Sequence, residues 1–445
     1  MNSSLEKLEE VRSDGNIATN DEDDYDPFKH RQTRKPNTST ETLIHFIKGA
    51  LGTGILAMPL AFKNGGLIFG VVGTIFSTIV YTHIVHLLAG TSQRACKRSK
   101  IPVLDFSETA EQVLAGGPLR FRRYAGTAKI YVDYMLLIVR FLSVSVYLVF
   151  IGTALRDVVN YELQISWDTR VYIGLTTIVI AAITQVRELK YLVPFSLIAN
   201  VFMVVAFAIC LYYIFSEPVS LENRDHWPEL SALPTFFSIV VYAIDAIANV
   251  LPVENKMKDP QHYLHACGVV NWANGTVTIM YIVIGFFGYA RYGEDTKGSV
   301  PLNLPSDELL AKSAQLLAAL AILFTIGLFF YVPIEILWSM INAKIDPKRH
   351  NVAQVTLRLG VVAVMAILAL TVPQLEPFIG LAGALGSGSL TLLVPVLLDT
   401  LFRWPNDFGW MKWKLVKNVG LGVFGTFVLV AGTWFSVLDI VEIYK

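Results

Sequence analysis

The sequence predicts an all-α integral membrane protein, and three features predict it. Apolar runs near the ~20 residues needed to cross a ~30 Å hydrocarbon core recur eleven times along the chain. Charged residues make up only 16% of the 445 residues, 53% are hydrophobic and the mean hydropathy is +0.51, far from the roughly 25% charged content of soluble domains. Two runs, the first and the sixth, are interrupted by glycine, proline or a carboxylate, and they stand five spans apart. Irregular backbone at membrane depth is tolerated only where it is buried in protein or lines a cavity, so paired interruptions point to inverted repeats with a binding site between them.

Residues 1 to 40 are polar and charge-rich, with too little apolar surface to fold alone, and read as a disordered cytosolic tail. They lack the apolar core of a signal peptide. The transmembrane domain, 41 to 445, follows with spans at about 43 to 62, 67 to 90, 129 to 155, 171 to 186, 192 to 215, 233 to 254, 265 to 290, 309 to 341, 355 to 372, 376 to 400 and 418 to 438. Spans 1 to 5 (43 to 215) and 6 to 10 (233 to 400) form a five-plus-five inverted repeat with discontinuous helices 1 and 6, and span 11 is appended. The fourth span is short, and the eighth is long enough to tilt or protrude. Loops on one side, beginning with the Arg94 to Arg123 cluster, carry eighteen Lys and Arg against seven on the other, which places the N-terminus inside. The sequons at Asn2 and Asn37 then lie in the cytosol and that at Asn274 within a span, so none should be glycosylated. Cys96, Cys210 and Cys267 imply no disulfide framework.

The first span, TLIHFIKGALGTGILAMPLAFKNGG, holds His45, Lys48, Gly49, Gly52, Thr53, Gly54 and Pro59. Glycine permits an unwound segment, and the freed amides of residues 50 to 54, with the Thr53 hydroxyl, suit a substrate carboxylate. The competing reading is that these glycines only let helices pack closely. Histidine is the side-chain type suited to proton exchange near neutrality, and His45, one turn earlier, is the proton-coupling candidate; alternatively it is a neutral histidine bonded to a carbonyl. In the sixth span Asp245 sits mid-membrane, where an unpaired carboxylate costs ~2.5 kcal/mol or more. It receives a substrate ammonium, binds the driving proton, or pairs with Lys48 or Arg140, while Asn249 at i+4 shares its face. Lys129, Asp133 and Arg140 read as an internal salt-bridged face of span 3. His83 and His86 read as solvated or structural, and Glu335 is a weaker proton-transfer candidate. The GLAGALGSGS run of span 10 reads as tight packing rather than ligand contact.

No phosphate-binding loop, zinc-spaced His/Cys cluster or soluble ATPase domain occurs, so no enzyme, cofactor or metal is expected and energy must come from a gradient. Together TLIHFIKGALGTGILAMPLAFKNGG, VLPVENKMKDP, FYVPIEI and GALGSGSLTLLVPVLLDT resemble the proton-coupled amino-acid transporters of the amino acid/auxin permease group, over nearly the whole chain after the tail. The resemblance implies a leucine-transporter-like fold, symport of small neutral amino acids with protons, and location at the plasma membrane or a lysosomal or endosomal membrane. It places the family's essential first-span histidine on His45. Departures occur too: Asp245, Ala246, Ile247 and Ala248 stand where the family has Glu-Gly-Ile-Gly, Ala50 replaces an asparagine of the first-span motif, and the external loop cysteines of some relatives are missing. Two other functions fit the sequence: an amino-acid sensor signalling through a tail-binding partner, to which Tyr25-Asp26-Pro27-Phe28 is open, and a sodium-coupled transporter.

Overall fold

The computed structural model describes residues 25–31, 36–50, 52–187, 189–218, 221–405 and 407–445, and of residues 48–50, 53, 189–193, 332 and 344 the backbone only. Among the described residues the fold is all-helical, and nine helical stretches are long and apolar enough to cross a membrane. The count of eleven expected from the sequence is not reproduced by that criterion, for two reasons. The first span is divided into α1 (Ser39–Ala50), α2 (Thr53–Leu56) and α3 (Met58–Gly65), each too short alone. The fourth, α7 (Thr169–Ile183), has 15 residues.

The remaining spans are long helices: α4 (Leu67–Ser99), α6 (Ala125–Leu163), α8 (Leu189–Phe215), α11 (Val269–Tyr292), α12 (Leu309–Ile341) and α13 (His350–Thr371). The sixth span is α9 (Leu233–Ile244) plus α10 (Ile247–Asn255). In the tenth, α14 (Leu375–Leu381) passes into a π-helix over Ala382–Leu393 and then α15 (Val394–Arg403). In the eleventh, α16 (Trp413–Phe427) and α17 (Thr433–Glu442) flank a π-turn at Val428–Gly432. A helix the spans did not predict, α5 (Phe106–Ala115), lies in the basic loop between α4 and α6. Its signal was present as Asp105-x-x-Glu108: the Asp105 carboxylate accepts from the Glu108 amide at 2.7 Å and Glu108 accepts from the Asp105 amide at 3.1 Å, a reciprocal capping box.

Packing divides the spans into two sets. The broken first and sixth spans pack with α4 and α11 into a four-span bundle, while α6, α7, α8, α12 and α13 pack on one another as a second body. Spans five apart meet in both sets, first with sixth, α4 with α11, α6 with α12 and α7 with α13. This is the pairing that two repeats of five produce. The outer faces remain apolar, with Ile79, Ile178, Val204 and Ile279 exposed, as suits lipid contact rather than water.

The N-terminal segment, expected to be disordered over residues 1 to 40, is packed in its described part. Asp26 caps a short 3-10 helix, Pro27–His30, by accepting from the Phe28 amide at 3.0 Å, and Pro27 is buried. Asn37 exchanges two backbone hydrogen bonds with the strand-like stretch after α10, at 2.8 and 2.9 Å to Lys256 and Lys258. Tyr25 to Phe28, the proposed docking signal, thus lies against the end of α4, where Gln93, Arg94 and Lys97 share a crevice with it.

Candidate functional site

Both breaks fall where two helices cross, and glycine explains the first. The turn at Gly52 (φ −80°, ψ −149°) separates α1 from α2. At Gly54 a Cβ atom would stand 2.6 Å from the Ala243 carbonyl oxygen in the last turn of α9, so only a hydrogen allows this approach. Pro59 is not part of the opening. It occupies the first turn of α3, where its missing N–H leaves nothing unpaired, and its ring rests on Gly288 of α11, where a Cβ would lie 2.5 Å away.

Asp245 (ψ 107°) and Ala246 interrupt the sixth span. Each backbone group released there needs a partner, because water is scarce at this depth. The Tyr281 hydroxyl donates to the Ala243 carbonyl at 2.7 Å, the Ala246 amide donates to the Tyr81 oxygen at 3.1 Å, and the Ile247 amide donates to Asp245 Oδ1 at 3.1 Å. Asp245 therefore caps α10 through an Asx-turn. Thr391, in the π-helix of the tenth span, also donates to Oδ1, at 2.9 Å. Among the described residues both hydrogen bonds to this carboxylate go to Oδ1 and none to Oδ2.

A cavity of about 90 Å³ lies where the breaks meet, lined by Gly52, Gly54 and the run Tyr242 to Asn249 apart from Ile244, with Arg140, Ser143 and Tyr147 from α6, Phe329 from α12 and Ser387 from the π-helix. Of the residues singled out from the sequence, Gly52, Gly54, Arg140, Asp245 and Asn249 come together here. His45 does not line the cavity; it sits on an exposed face of α1. The side chains of Lys48 and Thr53 lie outside the described residues.

Arg140 is the main residue the sequence reading misplaced. Its Nη2 donates to Asn249 Oδ1 at 3.3 Å and its guanidinium lies 4.7 Å over the Phe329 ring. Among the described residues it forms no ion pair with Asp245, the partner proposed for it. Among the described residues Lys129 and Asp133 form no ion pair with one another either: Lys129 reaches Glu111 of α5 at 3.2 Å, and Asp133 faces the same helix. One face of α6 thus passes α5 near its start and the cavity two turns later, so residues in helical register meet different neighbours. A charged side chain within an apolar span was signal enough to mark Arg140. Tyr81, Tyr281 and Thr391 carried no comparable signal.

The glycine-rich tenth span does both jobs. Gly383 packs so closely on α9 that a Cβ would meet the Ser238 carbonyl oxygen at 2.0 Å, while Ser387 and Leu390 reach the cavity and Thr391 holds Asp245. Glu335 does not line the cavity. His86 bonds Asn271 Oδ1 at 2.9 Å and Asn274 of the intramembrane sequon donates to Thr82 at 2.9 Å, both structural contacts between α4 and α11.

The family described as transmembrane amino acid transporter protein matches residues 35–438. The chain belongs to this family. The transporter is 38% identical over 424 residues, 95% of its own length and 89% of the relative's, to the proton-coupled amino acid transporter-like protein pathetic of Drosophila melanogaster. It is 23% identical over 420 residues, 92% of its length and 91% of the relative's, to the probable amino acid transporter skat-1 of Caenorhabditis elegans. The family is one of transporters, not enzymes. Among solved structures, the transporter resembles the inward-facing conformation of Mhp1 (TM-score 0.53, 13% identity, 92% of this chain and 93% of that one). It also resembles a closed Mhp1 with bromovinylhydantoin bound (TM-score 0.52, 15% identity, 93% of each chain). At such identities the likeness concerns the fold, which is the leucine-transporter-like one with discontinuous helices 1 and 6.

Proposed function

We propose that the transporter is a secondary active symporter of small neutral amino acids with protons, working by alternating access. One observation carries this reading: both helix breaks open on a single cavity that holds one carboxylate, one guanidinium and the Asn249 amide. A zwitterion complements such a lining. Its carboxylate docks at the first break, on the backbone about Gly49, Gly52, Thr53 and Gly54, and its ammonium meets Oδ2 of Asp245. The name of the Drosophila relative supports the proton as the coupling ion. His45 is the proton acceptor, reachable because it is exposed on the half-helix that leads into the break, and Asp245 links proton and substrate within the cavity. The four-span bundle then rocks against the second body, with the N-terminus in the cytosol of a cell whose plasma, lysosomal or endosomal membrane holds the protein.

Uptake of radiolabelled alanine, glycine and proline into proteoliposomes tests this, with an imposed pH gradient and sodium-free buffers. Accumulation should follow the gradient and collapse with a protonophore. Accumulation that requires sodium and ignores pH would establish sodium coupling instead, and substrate binding without flux would make the protein a sensor.

A further inference from the structure

The cavity contains a cation whose role the helix breaks leave open. Arg140 reaches it from α6, outside the two broken spans, and is held on two sides: its guanidinium lies 4.7 Å over Phe329 and Nη2 donates to Asn249 at 3.3 Å. Among the described residues no carboxylate lies within ion-pairing distance of it. A guanidinium carries five N–H donors in a planar fork that matches a carboxylate with two parallel bonds. Holding such a group deep in a membrane protein without a carboxylate is costly, and the cost is recovered when an anion arrives. The opposite charge, Asp245, lines the same cavity, and among the described residues one of its carboxylate oxygens takes no hydrogen bond.

From these relationships, and resting on the transport function proposed above, we propose that Arg140 is the residue that makes the site require a carboxylate, binding that of the substrate alongside the first-break backbone. With Asp245 it forms an electroneutral clamp. A zwitterion satisfies both charges. A primary amine leaves Arg140 unpaired, and a monocarboxylate leaves Asp245 unpaired, so each analogue binds poorly even when its apolar part fits. The substrate class is therefore one with both a free carboxylate and a free ammonium, and amino-acid amides and esters are excluded.

The test compares binding of alanine, alaninamide and propionate to the purified full-length protein in detergent, by calorimetry or ligand-induced thermal shift, in the native protein and in Arg140→Gln and Arg140→Lys. In the native protein alanine should bind roughly 100-fold more tightly than alaninamide, the discrimination typical of a charged group left unpaired. Arg140→Gln should bring that ratio close to one. Arg140→Lys, which keeps the charge and loses the fork, should retain part of it. A ratio is insensitive to the fraction of protein that is folded, and should Arg140→Gln prove unfolded, the Arg140→Lys ratio decides. An unchanged ratio in the variants would overturn the proposal and leave the carboxylate to the first-break backbone alone. If the native protein binds no amino acid while remaining folded, the transport reading itself fails, an outcome distinct from the first.

Discussion

Arg31 Nη2 lies 3.1 Å from Glu254 Oε1, and both side chains are almost fully enclosed, at 5% and 1% exposure. The pair ties the N-terminal segment to α10, the second half of the broken sixth span. Arg31 also donates to the backbone carbonyls of Pro102 and Glu254, and Gln93 of α4 donates to the same carboxylate oxygen at 3.1 Å. Removing one member of a buried pair leaves an uncompensated charge and costs about 3–5 kcal/mol. Arg31→Ala should therefore lower the unfolding midpoint in detergent and open residues 25–31 to proteolysis. Adding Glu254→Gln should restore part of the loss, so the double variant is destabilised by less than the sum of the singles. Additive effects would show that the pair contributes no coupling.

At Gly54 the neighbouring atom is backbone, so no side-chain rotation relieves a clash. Gly54→Ala should push α2 away from α9 and abolish uptake at normal surface expression. Gly360→Ala, in α13, is the control, since nothing lies within 4 Å of a Cβ there. It should be neutral or stabilising by up to ~1 kcal/mol, the helix-propensity difference between the two residues. Normal uptake by Gly54→Ala would refute the close approach.

Asp245→Asn keeps an oxygen able to accept from Ile247 and Thr391, and so preserves the cap of α10, while removing the charge. Apparent affinity for alanine should fall at least tenfold with little change in thermal stability. Thr391→Val removes only one hydrogen bond and should shift affinity less, by threefold to tenfold, consistent with about 1 kcal/mol. If Asp245→Asn alters stability but not affinity, Asp245 is a cap and nothing more.

The proposed role of His45 separates from that of Asp245 through pH. His45→Ala should flatten the pH dependence of uptake, while leaving equilibrium alanine binding unchanged because His45 is outside the cavity. Retention of the native pH profile would assign proton coupling elsewhere.

Asp399 is fully buried near the far end of the tenth span and is held by Arg94 at 2.8 Å, Arg403 at 2.8 Å and Asn418 at 3.0 Å. It joins α4 of the bundle to α15 and α16. Asp399→Asn should destabilise the protein by about 3 kcal/mol, because Arg94 loses its carboxylate partner and Arg403 keeps only the exposed Asp407, whereas Asp407→Asn, at an exposed carboxylate, should change little. Equal midpoints for the two variants in detergent unfolding would contradict the ranking.

Much of this architecture was written in the sequence itself. Spans are set by an uninterrupted apolar length, and bilayer thickness gives that length a fixed scale, so Leu309–Ile341 falls where the apolar run falls. Glycine at 52 and 54 and a carboxylate at 245 announce breaks for a local reason, backbone freedom and the cost of a buried charge, and both breaks are present. Pairwise identity of neighbours is not local. Lys129, Asp133 and Arg140 share one helical face, yet the first two meet α5 and the third meets the cavity, because the elements packed against α6 change along its length. The tyrosines at 81 and 281 are ordinary apolar-span residues until the sixth span breaks beside them and leaves an amide and a carbonyl to satisfy. The sequence by itself determined that two interrupted helices would face one another, because those costs are paid residue by residue. Only the tertiary structure decided which distant side chains complete the site, because that depends on how the four-span bundle docks on the second body and which buried polar atoms that docking leaves in need of partners.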